Sequence, residues 1–249
     1  MHKFDNKNIL IVGASSGIGA KTASVLSSQG AKVILVARRE DKLQELCSSI
    51  GANSNYYVAD ISDISCIEDL VNRIVLENGK LDGFVYAAGI TDDVPLKFLD
   101  YNRMLKTFNT NYFAFIELMR HISKKSNYNV GMRVVAISSV SSIKGEKAHT
   151  SYSASKAAID ASIRCLSKEL YSRGIVLNSV QPGMIKTDMY DKFLMEMGND
   201  GSVSLLLNNI QYAGIGEAID IANAIVFLLS SDSRFITGIS IPIDGGTTT

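Results

Sequence analysis

Asn8-Ile9-Leu10-Ile11-Val12-Gly13-Ala14-Ser15-Ser16-Gly17-Ile18-Gly19 passes from an apolar run directly into three closely spaced glycines, and the chain then continues to Gln29 with helical periodicity. Residues apolar on both faces predict a strand sandwiched between helical layers, as in a parallel sheet. The glycines let the backbone turn tightly and let a pyrophosphate approach the start of the next helix, where unpaired N–H groups and the helix dipole favour an anion. Gly13, Ser15, Ser16, Gly17, Ile18 and Gly19 are therefore candidate contacts of a dinucleotide. A glycine triplet is weak evidence by itself in a chain with 19 glycines. The strand before it, the helix after it and a second strand about 14 residues on supply the context that gives it weight. The spacing is Gly-x-x-x-Gly-x-Gly.

Working outward, Lys32 to Ala37, Tyr56 to Ala59 and Leu81 to Ala87 read as further strands. They alternate with helical segments, Gly17 to Gln29 with Ile18, Thr22, Val25 and Leu26 on one face, and Ile64 to Glu77 with Ile67, Leu70, Val71, Ile74 and Val75 inward. The alternation continues through a long helix from Tyr101 to Lys124, a strand Arg133 to Ser138, a helix Tyr152 to Arg173 and a strand Val176 to Gln181. A helix Glu217 to Leu229 and a strand Ser240 to Ile243 close it. Repeated β-α alternation predicts a doubly wound α/β fold with a mainly parallel sheet of about seven strands and helices on both faces. Residues 187–216 break the rhythm with Met189, Met195, Met197 and Leu205 to Leu207, and read as a helical insertion. Lying after a strand's carboxyl end, it is placed either to wall a substrate pocket or to pack as core.

The chain has 249 residues, 25 basic and 25 acidic side chains, 46% hydrophobic content and three prolines. This excludes a disordered or fibrous protein and fits one domain spanning 1–249. Zero net charge argues against nucleic-acid or anionic-membrane partners. The longest apolar run, Ala224 to Leu229, is far too short for a membrane span, and the N-terminus shows no export signal. Cys47, Cys66 and Cys165 are odd in number and not in metal-ligand spacing, so reduced thiols in a cytoplasmic protein are expected, with no metal site.

At the end of the second strand, where an acid would bind a free adenosine ribose, Ala37 stands instead, followed by Arg38 and Arg39. Guanidinium groups there hold a 2′-phosphate through parallel hydrogen bonds, which favours NADP(H) over NAD(H); the alternative is a pair of solvated loop arginines. Asp60, with Ile61 beside it, follows the third strand and is placed either to accept from an adenine amine or to cap a helix. Tyr152 and Lys156, four residues apart at a helix start, share one face, and an ammonium near the phenol favours its ionised form. Ten tyrosines make that spacing common by chance. Ser139, at a strand's carboxyl end, adds a hydroxyl able to hold a substrate oxygen. Asn111 sits unexpectedly inside an apolar helix, either bound to a backbone group or a water, or at an exposed position.

Together these residues resemble the short-chain dehydrogenase/reductase family, in its single-domain form of about 250 residues, along essentially the whole chain. The motifs that carry the resemblance are Gly13, Gly17 and Gly19, Ala88-Gly89, Asn111, Ser139, Tyr152-x-x-x-Lys156, Pro182-Gly183-Met184-Ile185-Lys186-Thr187 and Asp244-Gly245-Gly246, in that order. The resemblance implies a Rossmann-like fold in which Ser139 orients a carbonyl, Tyr152 is the general acid or base and Lys156 holds the nicotinamide ribose and lowers the phenol's pKa. It implies that Asn111 anchors a water, that Ala88, Gly89, Pro182 and Gly183 line the cofactor, and that Ile185 and Thr187 meet the carboxamide. Val12 replaces the usual Thr before the first glycine, and Tyr86-Ala87 replaces the usual Asn pair.

The chain is most similar within that family to 3-oxoacyl-acyl-carrier-protein reductases. Arg173 matches a basic position those enzymes use toward the acidic carrier, while a second, near Val130, is not filled. The expected function is thus NADP(H)-dependent hydride transfer between nicotinamide and a carbonyl or secondary alcohol, on a ketone or 3-oxoacyl thioester. A non-catalytic NADP(H) sensor or scaffold is the alternative. Small residues along Ala154, Ala157, Ala158, Ala161 and Ser162 either face a symmetry mate or pack inside the domain, and the family implies a dimer or tetramer.

Overall fold

The structure, a computed structural model, describes residues 2–197 and 211–249. Strands β1 (Asn8–Val12), β2 (Lys32–Ala37), β3 (Ser54–Val58), β4 (Leu81–Tyr86), β5 (Tyr128–Ile137), β6 (Val176–Pro182) and β9 (Ser240–Ile243) form one sheet. Their order is β3-β2-β1-β4-β5-β6-β9, and every neighbouring pair is parallel. Beside it, β7 (Ile185–Lys186) pairs with β8 (Gly216–Glu217).

Period-two alternation divides the strand side chains between two cores. Ile9, Ile11, Val33, Leu35, Val85 and Val135 pack on one face with Ala23 and Leu26 of α1 (Gly17–Ser28), Leu43 of α2 (Glu40–Ile50) and Ile221 and Ile225 of α8 (Ala218–Leu229). Leu10, Val12, Ile34, Val36, Phe84 and Tyr86 face the other way. They meet α3 (Ile67–Asn78), α5 (Ala114–Ile122) and α6 (Thr150–Leu170) through Val71, Ile74, Phe115, Leu118, Ile159 and Ile163. This is the doubly wound architecture expected from the sequence. Because strand order reverses between β1 and β4, the loops after them diverge and leave a crevice at the strands' carboxyl ends, where open α/β sheets bind ligands.

The predicted helix over 101–124 is instead three pieces, α4 (Tyr101–Phe108), a π turn (Asn109–Phe113) and α5. The Tyr86 hydroxyl donates to the Thr110 carbonyl inside this widened turn, a backbone group that a regular helix would pair with itself, and the Asn111 side-chain amide turns inward to Ile90. Tyr86 is one of the two departures from the family pattern, and this contact is what it makes. The other departure, Val12, is buried, and its carbonyl accepts from the Ala87 N–H at 2.8 Å. Strand β5 begins at Tyr128, five residues before the expected Arg133, through a register irregularity against Leu81 and Gly83. Helix α3 is preceded by a 3₁₀ turn (Ile64–Cys66), capped where the Asp63 carboxylate accepts from the Ser65 N–H at 3.0 Å.

Within the expected insertion, α7 (Asp188–Met197) follows β7 directly. Residues 198–210, including the Leu205 to Leu207 run, lie outside the described residues. Met189 and Met195 are exposed rather than core. Among the described residues no helix is long and apolar enough to cross a membrane.

Candidate active site

A cleft of about 960 Å³ opens at the carboxyl ends of the strands. Every residue read from the sequence as a cofactor contact lines it, from Gly13 through Arg38, Arg39, Asp60, Ile61, Ala88 and Gly89 to Pro182, Gly183, Ile185 and Thr187. Ser139, Tyr152 and Lys156 line the same cleft, and Asn111 lies buried behind its wall.

The glycine loop is close-packed. Gly13 has φ +88°, and a Cβ there would stand 2.4 Å from the Ala88 nitrogen; one on Gly19 would meet the Gly13 carbonyl at 2.3 Å. Helix α1 then starts with no side-chain cap from Ser16 and no acid in its first turn, which leaves the site open to an anion. Arg39 reaches over this loop: Nη2 donates to Ser16 Oγ at 2.6 Å and to Ser15 Oγ at 3.1 Å, while Nη1 pairs with Asp188 Oδ2 at 3.4 Å. Arg38 Nη1 lies 3.8 Å from Asp60 Oδ2. Asp60 caps no helix; its Oδ1 accepts from Ser62 N and Oγ at 3.0 and 2.7 Å in a tight turn. Burial would raise this carboxyl, but the Ser62 hydrogen bonds and the Arg38 charge outweigh it and hold it below its ordinary value.

At the opposite end, Tyr152 lies in the first turn of α6, which starts at Thr150, and is almost fully buried. Burial pushes its phenol above the ordinary value, a hydrogen bond with Ser139 pulls it back, and the charges of Asp93 and Glu146 add to the rise. The phenol thus stands above its ordinary value, not below it as expected beside Lys156. The Lys156 ammonium stands 5.8 Å from the centre of the Tyr152 ring and donates to the Ile137 carbonyl at 2.8 Å. Burial lowers its pKa to about 8, against the opposing charge of Asp160. Asn111 is not at an exposed position. Its Nδ2 donates to Ile90 O at 3.0 Å and to Ser155 Oγ at 2.9 Å, and its Oδ1 accepts from Ile90 N at 2.9 Å, so it clamps the loop that follows β4 just after Gly89.

The sequence reading missed a charged cluster at the cleft mouth. His149 Nε2 lies 3.1 Å from Asp93 Oδ1, and Nδ1 lies 3.2 Å from Glu146 Oε2, off the line of a good hydrogen bond. The ring stands edge-on to Tyr152 with centroids 5.9 Å apart. Asp93 and Glu146 raise the imidazole's pKa to about 9. Ala148, just before it, adopts φ +66°, and its carbonyl accepts from Val94 N at 2.9 Å, joining the two mouth loops. Only the position of His149, three residues before Tyr152, signalled this in the sequence.

Residues 13–248 match the family described as enoyl-(acyl carrier protein) reductase. The chain is 32% identical over 246 residues to the 3-oxoacyl-(acyl-carrier-protein) reductase FabG of Escherichia coli (strain K12), covering 98% of both chains. It is 34% identical to the enzyme of the same name from Rickettsia conorii, covering 96% of each. A crystal structure of a dehydrogenase/reductase from Sinorhizobium meliloti 1021 matches with TM-score 0.91 at 30% identity, over 99% of this chain and 97% of that one. A short-chain type dehydrogenase/reductase from Mycobacterium ulcerans matches with TM-score 0.90 at 28% identity, over 98% and 90%.

Proposed function

The chain belongs to the short-chain dehydrogenase/reductase family, and from that premise we propose that it is an NADP(H)-dependent reductase of ketones or 3-oxoacyl thioesters in which Tyr152 is the proton donor. The observation that carries this reading is the placement of Ser139, Tyr152 and Lys156 at one end of the cleft whose other end holds the uncapped start of α1 and the two arginines. That donor set fits a dinucleotide. The α1 N-terminus would meet the pyrophosphate, and Arg38 and Arg39 a 2′-phosphate, the group that distinguishes NADP(H).

A bound NADPH would supply the hydride taken up by the carbonyl carbon. The chain supplies the proton. Burial keeps the Tyr152 phenol protonated at neutral pH, so it enters as an acid and gives its proton to the carbonyl oxygen, which suits reduction. The Ser139 hydroxyl donates to the same oxygen and holds the carbonyl in place. Once Tyr152 has given up its proton, the Lys156 ammonium and the Ser139 hydroxyl stabilise the phenolate.

Similarity to the 3-oxoacyl reductases supports the thioester class. Arg173, the residue matched to a carrier contact, donates to the Ser123 carbonyl and lies 5.8 Å over the Tyr128 ring, and Val130 stands exposed where a second cation is expected. The proposed substrate is accordingly a thioester that needs no carrier docking. Ala154 and Ala161 are exposed on α6 rather than packed inside, which supports a homo-oligomer built on this helix; sedimentation at the 27.0 kDa of one chain at micromolar concentration would overturn it. The three cysteines are unpaired and fit the cytoplasm.

The test follows NADPH absorbance with purified protein and an acetoacetyl thioester, with NADH in parallel. Oxidation of NADPH well ahead of NADH is the expected result. Tight NADPH binding without turnover on any ketone would instead indicate a cofactor-binding protein.

A further inference from the structure

Beneath the reacting groups, Asp160 is a carboxylate buried to 3% exposure on α6, one turn after Lys156. A carboxylate taken out of water is costly unless donors satisfy it, and this one is surrounded by them. Ser179 Oγ donates to Oδ1 at 2.7 Å, and Ser138 Oγ and Gln181 Nε2 approach Oδ2 at 2.9 and 2.8 Å. The second hydrogen of Gln181 Nε2 reaches Ser142 Oγ at 2.8 Å. Ser138 precedes Ser139, and Ser142 closes the 3₁₀ turn (Val140–Ser142) that Ser139 opens, its Oγ accepting from Ser141 N at 3.1 Å. The Asp160 network therefore grips the chain on both sides of Ser139 from one strand, β6, and one helix, α6. None of these partners is a cation. The basic group that senses the Asp160 charge is Lys156, whose own hydrogen bond runs to the neighbouring Ile137 carbonyl.

We propose that Asp160 is a positioning residue for the reacting groups: its carboxylate anchors Ser138 and, through Gln181, Ser142 on either side of Ser139, and supplies the negative charge that faces Lys156 from inside the fold. The inference rests on the reading of Ser139, Tyr152 and Lys156 as the reacting set. It explains why a cationic Lys156 survives where little water reaches it. Of the groups around Lys156, α6 contributes Asp160 and Tyr152, the π turn the neutral Asn111, β5 the Ile137 carbonyl and the loop after β4 the backbone of Gly89. Only Asp160 and Tyr152 among these titrate. Removing the carboxylate leaves burial unopposed and makes Lys156 lose its proton at lower pH.

The experiment titrates Lys156 directly, by NMR of protein carrying ¹³Cε-labelled lysine, with the resonance assigned by its loss in Lys156→Arg. In the native protein the midpoint is expected at about 8. In Asp160→Asn it moves down by about one pH unit, and the alkaline limb of kcat/KM for NADPH-dependent reduction moves with it. Ser179→Ala, which removes one donor and keeps the charge, lowers Tm and leaves the midpoint in place. A folded Asp160→Asn protein with an unmoved Lys156 midpoint overturns the proposal, as does a fall in activity with no displacement of the pH profile. Should the asparagine variant not fold, Asp160→Ser serves in its place. The native protein also gives its own answer, because the Asp160 carboxyl carbon must register the deprotonation of Lys156, and a flat response through that midpoint overturns the proposal. Absence of turnover in the native enzyme would defeat the functional reading while leaving the Lys156 titration interpretable.

Discussion

The two ends of the cleft are built on opposite physical terms. At the end proposed to react, Asn111, Ser138, Ser139, Tyr152, Lys156 and Asp160 are all buried and hydrogen-bonded to one another or to the backbone. At the end proposed to take the adenosine the charged groups stand in solvent, Arg38 with 66% and Asp60 with 51% of the side chain exposed. Buried polar groups act at close to full strength and cannot be removed without leaving a partner stranded, whereas exposed charges are screened and replaceable. The reacting end should therefore govern rate and stability, and the adenosine end affinity and cofactor choice.

The sharpest way to break that contrast is Tyr152→Phe, which removes one hydroxyl and little volume. Turnover should fall about a thousandfold while the dissociation constant for NADPH changes by less than about threefold, measured by single-turnover absorbance and fluorescence titration. A comparable loss of NADPH affinity would mean that the two ends are not separable. Next in size is Asn111→Ala. It strands the Ile90 N–H and carbonyl and removes the bond that Ser155 Oγ accepts, and should cost about 3 kcal/mol, seen as a fall in Tm of about 10 °C.

At the solvent end, Arg39→Ala should weaken NADPH binding about tenfold, with NADH affinity changed less than twofold and the difference shrinking as salt rises. The guanidinium rests on Ser15 and Ser16 and pairs with Asp188, so its loss strands no buried group and leaves Tm nearly unchanged. Equal losses for both cofactors would mean that Arg39 does not discriminate between them.

The contrast also explains what could be read in advance. The parallel sheet, its helical layers on both faces and the dinucleotide loop followed from β-α alternation and from glycines that only a tight turn requires, because these are local patterns with a fixed period. The π turn at Asn109–Phe113 was not legible. It depends on Tyr86, a residue 23 positions before its start and on another element, whose hydroxyl takes the Thr110 carbonyl. The start of β5 was hidden for a similar reason, since Tyr128 to Met132 has no clean alternation and pairs only because Leu81 lies beside it. Asn111 stood out as a misfit in an apolar helix, but the identity of its partner, Ile90, is a tertiary fact. Asp160 and the His149 cluster gave no sequence signal of comparable strength, because a lone acid on a helix or a histidine in a loop is most often solvated.

His149 sharpens the comparison because it is a charged group at the boundary, half in each regime. Its folded pKa of about 9 stands above its ordinary 6.5, raised by Asp93 and Glu146. A group with a raised folded pKa contributes stability that is fully present below its unfolded value and is lost as pH climbs through its folded value. The native protein should thus lose stability between about pH 6.5 and 9 relative to His149→Gln, which keeps a hydrogen-bonding side chain but cannot carry the charge. The size is modest. With 30% of the Asp93 side chain and 41% of the Glu146 side chain exposed, solvent screening leaves about 1 kcal/mol of the paired charge. The two proteins should therefore differ by a few degrees in Tm at pH 6 and converge by pH 10. Because the ring also stands against Tyr152 and the cluster joins the two mouth loops, KM for the ketone should rise as pH passes through about 9 in the native enzyme and stay level in the variant. A Tm difference that persists undiminished to pH 10 would make the contribution of His149 one of packing, and would move it from the boundary into the buried, reacting end.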